Sequence, residues 1–183
     1  MPILEKEDLM EILPVRGLPA TILIFEGPPS SGKTTLRRRL MYAFDNIVTI
    51  EKFTGYKWVC MKLRGCPDDY LLDILSIESV LSAHFNCILF YVYSQPHFIY
   101  RDRVINPEEG DVLAERARRS LDDLKKICDL YSEYYSASKF RNKISIPTYY
   151  RSSDEVYRDA YDYLVTHAKL VRPGAWNYFR EGL

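Results

Sequence analysis

The chain has 183 residues, of which 47% are hydrophobic and 27% charged, and its 25 Lys+Arg are balanced by 25 Asp+Glu. A chain of that length buries a core without disulfide or metal staples, and zero net charge argues against a protein that coats nucleic acid by bulk positive charge, though not against a local basic site. An aromatic content of 14% and ten scattered prolines exclude a disordered, collagen-like or coiled-coil chain. No apolar run reaches the ~18 residues needed to cross a bilayer. The first residues, MPILEKEDLMEILPVRG, carry acids where a signal peptide carries positive charge, so a cytoplasmic protein is expected. The four cysteines form no CxxC pair and match no zinc spacing, and Cys87 and Cys128 read as core or near-core thiols.

Helical spacing over 3–13 predicts a short N-terminal helix, broken by Pro14, Gly17 and Pro19. The continuous apolar run 21–25 (TILIF) predicts a buried strand, and a helix follows with Leu36, Leu40, Ala43 and Phe44 on one face and Arg37, Arg38 and Arg39 mostly outward. Residues 46–50 predict a second strand ending at Glu51, 70–83 a helix, 87–93 a third buried strand, 96–104 a short helix and 106–111 a polar loop. A single long helix is expected over 112–136, a fourth strand over 143–146 closed by Pro147, and a last helix from Ser153-Asp154-Glu155 to about 169. The tail 171–183, with Pro173, Gly174, Trp176 and Phe179, is expected to pack across the body. Strands alternating with helices predict an α/β fold with an open, mainly parallel sheet of about four to five strands. Ligands of such sheets sit at the carboxyl ends of the strands, where Gly27, Glu51 and Ser94 fall.

Between the first strand and its helix stands Gly27-Pro28-Pro29-Ser30-Ser31-Gly32-Lys33-Thr34-Thr35, a complete phosphate-binding loop of the form GxxxxGKT. The glycines allow backbone angles that turn successive N–H groups onto an anion. The helix beginning near Lys33 adds its positive dipole end. In this pattern Lys33 reaches the β- and γ-phosphates and the Thr34 hydroxyl ligates Mg²⁺. The motif says nucleoside triphosphate and magnesium without saying where the phosphoryl group goes. The third strand ends Tyr93-Ser94-Gln95, with no acid for the metal, whereas the second ends Ile50-Glu51-Lys52-Phe53. An acid followed at once by a cation beside the loop can serve metal and phosphate together.

At these residues the chain resembles the thymidylate kinase group of nucleoside monophosphate kinases. The loop segment IFEGPPSSGKTTL is typical of such kinases, and VTIEKFTGYKWV looks like the family's second signature, an Asp-Arg pair and an aromatic closing a strand. CILFYVYSQPHFIYRDRV resembles the strand and helix leading to the arginine-bearing lid, and ISIPTYYRSSDEVY the final strand and last helix. The resemblance spans about 20–168 and implies a three-layer P-loop NTPase fold with helices on both faces, working with ATP and Mg²⁺. It implies a kinase domain over 20–170, with a lid near 101–119, between an extension (1–19) and a packed tail (171–183). Glu51-Lys52 departs from Asp-Arg, replacing a guanidinium fork by a point charge. Only about a dozen residues separate the loop's helix from Glu51, where the family places a further strand and helix.

On this reading Glu51 orients the metal's water or the acceptor, and Lys52 binds the acceptor phosphate. Arg101 or Arg103 is expected to close onto the transferring group, with Arg116, Arg118 and Arg119 able to reach the same place. Phe53, Tyr56, Trp58 and Arg64 are candidates to wall the acceptor base, and the role of Glu26 is open. The three histidines stand far apart, outside any metal or nucleophile pattern. The reading is therefore Mg²⁺-dependent transfer of the ATP γ-phosphoryl group to a (deoxy)nucleoside monophosphate, with thymine-like bases as the first guess. Its rivals are a P-loop kinase acting on a nucleic-acid end or a modified base in DNA, and an NTP-hydrolysing regulatory protein. Nucleotides are the expected partners, nucleic acid is a less favoured acceptor, no membrane is expected, and a homodimer is left open.

Overall fold

The computed structural model describes residues 21–44, 47–103 and 111–167, with side chains described only to 100 in the middle segment. The helix expected over 3–13 and the tail over 171–183 lie outside the described residues. Among the described residues four strands run β1 (Thr21–Glu26), β2 (Ile47–Glu51), β3 (Asn86–Tyr93) and β4 (Asn142–Pro147), all parallel and in the order β2-β1-β3-β4. The helices are α1 (Lys33–Ala43), α2 (Thr54–Leu63), α3 (Asp68–His84), α4 (Pro96–Arg103), α5 (Val112–Ala117), α6 (Leu121–Ala137) and α7 (Ser153–His167). Among the described residues no helix is long and apolar enough to cross a membrane.

The central strands β1 and β3 are buried on both faces, which explains their unbroken apolar runs. The two-residue period of a strand splits them between two cores. Ile22, Ile24, Leu89 and Tyr91 face Trp58 and Val59 of α2, Leu71 and Leu75 of α3, and Leu124, Ile127 and Tyr131 of α6. Leu23, Phe25, Ile88 and Phe90 face Leu36 and Leu40 of α1 and Val156, Ala160 and Leu164 of α7. Helices thus cover both faces of the sheet, a three-layer α/β arrangement. Phe25 pairs in register with Glu51, and Glu26 with Tyr91, so the carboxyl ends of β1, β2 and β3 finish side by side. Among the described residues β2 has no strand on its outer side, as the short connection before Glu51 leads one to expect.

Two elements differ from the sequence expectation. Residues 54–63 form a helix, α2, whose Trp58 and Val59 are core residues. The single helix expected over 112–136 is two, α5 and α6. The break is a capping site: Ser120 Oγ accepts from Asp123 N at 3.0 Å and so starts a new helix. At α7, Glu155 N donates to Ser152 Oγ at 3.2 Å and Ser152 N to the Glu155 carboxylate at 2.7 Å, a reciprocal capping box set one residue earlier than expected.

Candidate phosphate-binding site

The loop from Gly27 to Gly32 joins the buried end of β1 to the start of α1. Gly27 has φ 144°, and a Cβ there would stand 2.0 Å from the Val92 carbonyl oxygen, so only glycine fits. Ser30 (φ 58°) and Gly32 (φ 96°) are also left-handed. Gly32 offers no side-chain cap and the first turn of α1 holds no acid. The first N–H groups of α1 therefore keep the positive end of the helix dipole available to an anion. Lys33 is half-buried and turned onto its own loop: its Nζ donates to the carbonyls of Gly27 at 2.9 Å and Pro28 at 2.6 Å. Burial lowers its pKa to about 8, against the opposing pull of the Glu26, Glu51 and Asp111 carboxylates.

Thr34, one residue on, donates through Oγ1 to Glu51 Oε2 at 3.1 Å, so the loop's helix and the end of β2 meet at two oxygen-bearing side chains. The other oxygen of Glu51 lies 2.6 Å from Arg37 Nε, so Arg37 turns onto β2 rather than outward. Lys52 follows in a left-handed conformation, φ 57°, and its Nζ stands 3.0 Å from Asp111 Oδ2. Asp111 is nearly buried, and its Oδ1 caps α5 by accepting from Leu113 N and Ala114 N, each at 3.1 Å. Tyr56 OH lies 3.5 Å from the same oxygen, and burial with the Asp111 charge pushes its phenol up to about 12. Among the described residues no three His, Cys, Asp or Glu gather as a metal centre. A hydroxyl and a carboxylate suit Mg²⁺ shared with phosphate oxygens, because that hard cation keeps most of its ligands outside the protein.

The structure thus brings Gly27, Pro28, Ser31, Gly32, Lys33, Thr34, Glu51, Lys52 and Tyr56 to the carboxyl ends of β1 and β2, with Ser30 and Thr35 exposed and Pro29 half-buried on the loop. It does not bring Phe53, Trp58 and Arg64 there as open pocket walls. Phe53 and Trp58 are 7% and 3% exposed and belong to the core, because α2 turns that face onto α6, with the Trp58 ring 6.1 Å from that of Tyr134. Arg64 is exposed at the far end of α2 from Lys52. Arg116 is engaged by Asp123 at 3.1 Å, and Arg118 and Arg119 are exposed. Arg101 and Arg103 end α4 by their backbone, and their side chains, with residues 104–110, lie outside the described part.

Sequence reasoning missed Asp111 and Arg37. Asp111 before an apolar run carries an N-cap signal, and Arg37 lies one helical turn past Thr34. It also missed Phe98, Thr148, Tyr149 and Tyr150, which with Ser30 and Ser94 line a cavity of about 340 Å³ on the far side of the loop. Thr148 Oγ1 donates to Ser31 O at 3.0 Å and ties the end of β4 to the loop.

No protein-family model matches the sequence, and no curated protein matches it. Among solved structures, the YorR protein of Bacillus subtilis, crystallised in complex with phosphorylated GDP, shares the fold with a TM-score of 0.58 and 20% identity, over 81% of this chain and 98% of that one.

Proposed function

We propose that the protein transfers the γ-phosphoryl group of ATP to a (deoxy)nucleoside monophosphate in a magnesium-dependent reaction, on a P-loop NTPase fold of thymidylate kinase type. One observation carries the reading: the loop Gly27–Thr34 opens α1 at the end of β1, and Glu51 ends the adjacent strand within 3.1 Å of Thr34 Oγ1. The guanine nucleotide on a protein of the same fold supports a nucleotide ligand.

The backbone amides of the loop and the start of α1 hold the donor phosphates. Lys33 exchanges the carbonyls of Gly27 and Pro28 for β- and γ-phosphate oxygens, and partial desolvation makes its charge count for more there. Thr34 and Glu51 are the residues that would hold Mg²⁺, which when bound neutralises charge on the donor phosphates. Arg37 keeps the Glu51 carboxylate turned toward Thr34. Lys52 receives the acceptor phosphate, Tyr56 stands beside it, and Arg101 or Arg103 closes over the transferring group. A phosphate monoester has its second pKa at about 6, so the acceptor arrives at neutral pH largely without a proton and needs no general base. The catalytic domain runs over 20–170, with the lid near 101–119.

The test is a label-transfer assay: γ-labelled ATP with Mg²⁺ and a panel of nucleosides, nucleoside monophosphates and short DNA. Label in a nucleoside diphosphate is the expected result. Label in DNA alone, or in free phosphate alone, replaces this reading by a polynucleotide kinase or a hydrolase.

A further inference from the structure

Glu26 ends β1 and directly precedes Gly27, yet no step above uses it. The residue is fully buried. Its Oε1 accepts two backbone hydrogen bonds, from Phe53 N at 2.7 Å and from Gly55 N at 2.9 Å. Its Oε2 is buried and has no hydrogen-bond partner among the described residues. A buried carboxyl with one oxygen unsatisfied is an expensive way to stabilise a core, and what this one grips is specific.

The two amides flank the turn that leaves β2. Lys52 there is left-handed at φ 57°, and Phe53 follows at φ −92°, ψ −123°, outside the ordinary wells. A side chain at φ > 0 persists only where its surroundings over-determine it. The surroundings here are two buried carboxyls. Between the two amides held by Glu26, Thr54 Oγ1 donates to Glu78 Oε1 at 2.6 Å. Glu78 is itself fixed by Tyr134 OH at 2.6 Å, Ser138 Oγ at 2.8 Å and Lys139 N at 2.7 Å, and so belongs to the α3–α6 framework. Gly55 makes the approach possible, because a Cβ there would stand 2.9 Å from Glu26 Cδ and 2.6 Å from Tyr134 Cε1.

We propose that Glu26 is a positioning residue: its carboxyl clamps the backbone at Phe53 and Gly55, with Glu78 gripping Thr54 between them, and so holds the turn that presents Lys52 to the acceptor phosphate. The inference rests on the reading of Lys52 as the acceptor-phosphate ligand. Because Glu26 is joined to Gly27, the same residue ties the acceptor turn to the first residue of the donor loop. A cation presented from a strained, clamped turn loses little freedom on binding, which is where preorganisation gains affinity.

The experiment compares Glu26→Gln, which keeps a carbonyl oxygen in the Oε1 position, with Glu26→Met, which fills similar space and accepts no hydrogen bond. Two readouts are taken: amide hydrogen exchange at Phe53 and Gly55 by NMR, and steady-state kinetics with donor and acceptor varied separately. Glu26→Met is expected to speed exchange at both amides at least about tenfold. It should raise the acceptor KM by a similar factor while the donor KM moves less than about threefold. Glu26→Gln should restore both readouts to near wild type. Should Glu26→Met fail to fold, Glu26→Asp, which draws the acceptor oxygen back by one methylene, takes its place with the same expectation in weaker form. Unchanged exchange in the clamp-deficient variant overturns the proposal, as does freed exchange with an unchanged acceptor KM. A wild-type protein that phosphorylates no monophosphate overturns the proposed function instead, and amide exchange still decides whether Glu26 clamps the turn.

Discussion

Lys52 Nζ stands 3.0 Å from Asp111 Oδ2, and the other oxygen of that carboxyl caps α5. The cation proposed to receive the acceptor phosphate is therefore already compensated, by a residue that caps a helix within the proposed lid. An incoming phosphate has to compete with Asp111 for Lys52. Asp111→Asn keeps a capping oxygen, since Asn caps about as well as Asp, and removes the competing charge. The acceptor KM should fall several-fold. Asp111→Ala loses the cap as well and should cost about 1 kcal/mol of stability, read by thermal unfolding. A raised acceptor KM in the Asn variant would assign Asp111 to acceptor binding instead of competition.

Lys33→Ala should lower kcat by about 10²–10³-fold or more, the usual scale for losing a cation or donor aimed at transition-state charge. Because Lys33 also closes the loop onto the carbonyls of Gly27 and Pro28, donor affinity should weaken too. Near-normal turnover in a folded Lys33→Ala protein rules out the proposed function.

Glu51→Gln leaves a group able to accept from Thr34 and takes away the charge that faces Arg37. Turnover should drop on the order of 10²-fold, with a higher Mg²⁺ concentration needed for half-maximal rate and a small change in the donor KM. A Mg²⁺ dependence identical to that of wild type would remove Glu51 from the metal's surroundings.

For the lid, Arg101→Ala and Arg103→Ala are compared. The residue that meets the transferring phosphoryl group should lower kcat with little change in donor affinity, because its interaction strengthens only in the transition state. If both variants raise KM and spare kcat, neither arginine acts on the transition state.

Burial pushes the Glu26 carboxyl up from 4.5 to about 7, against the pull of the Tyr56, Phe53 and Gly55 amides and the Lys33 charge. Between those values the folded protein holds a proton that the unfolded chain releases. The resulting stability is full below about 4.5 and is lost as pH rises through about 7. Urea unfolding at pH 5 and pH 8 should show wild type losing on the order of 3 kcal/mol more than Glu26→Gln across that interval. Parallel pH profiles would mean that Glu26 keeps one protonation state throughout.

Local pattern was enough to single out the residues of the proposed donor half of the site. The apolar run of β1, the glycines, Lys33, Thr34 and the amphipathic start of α1 are contiguous, and each is recognisable from neighbours a few residues away. The same holds for the buried strand β3 and for Glu51 at the end of β2. The proposed acceptor half is different in kind. Phe53 and Trp58 look alike to Tyr56 in sequence, and only the docking of α2 on α6 sends the first two into the core and leaves Tyr56 beside Asp111. Glu26 reaches Phe53 across 27 positions and Thr54 reaches Glu78 across 24, distances at which strand and helix periodicity carry no information. Local order came from backbone geometry and side-chain period, which the sequence displays directly. The left-handed Lys52 turn, the buried carboxyls that hold it and the Asp111 charge that faces it exist only once the layers pack, because burial is what makes each of those polar groups find its partner.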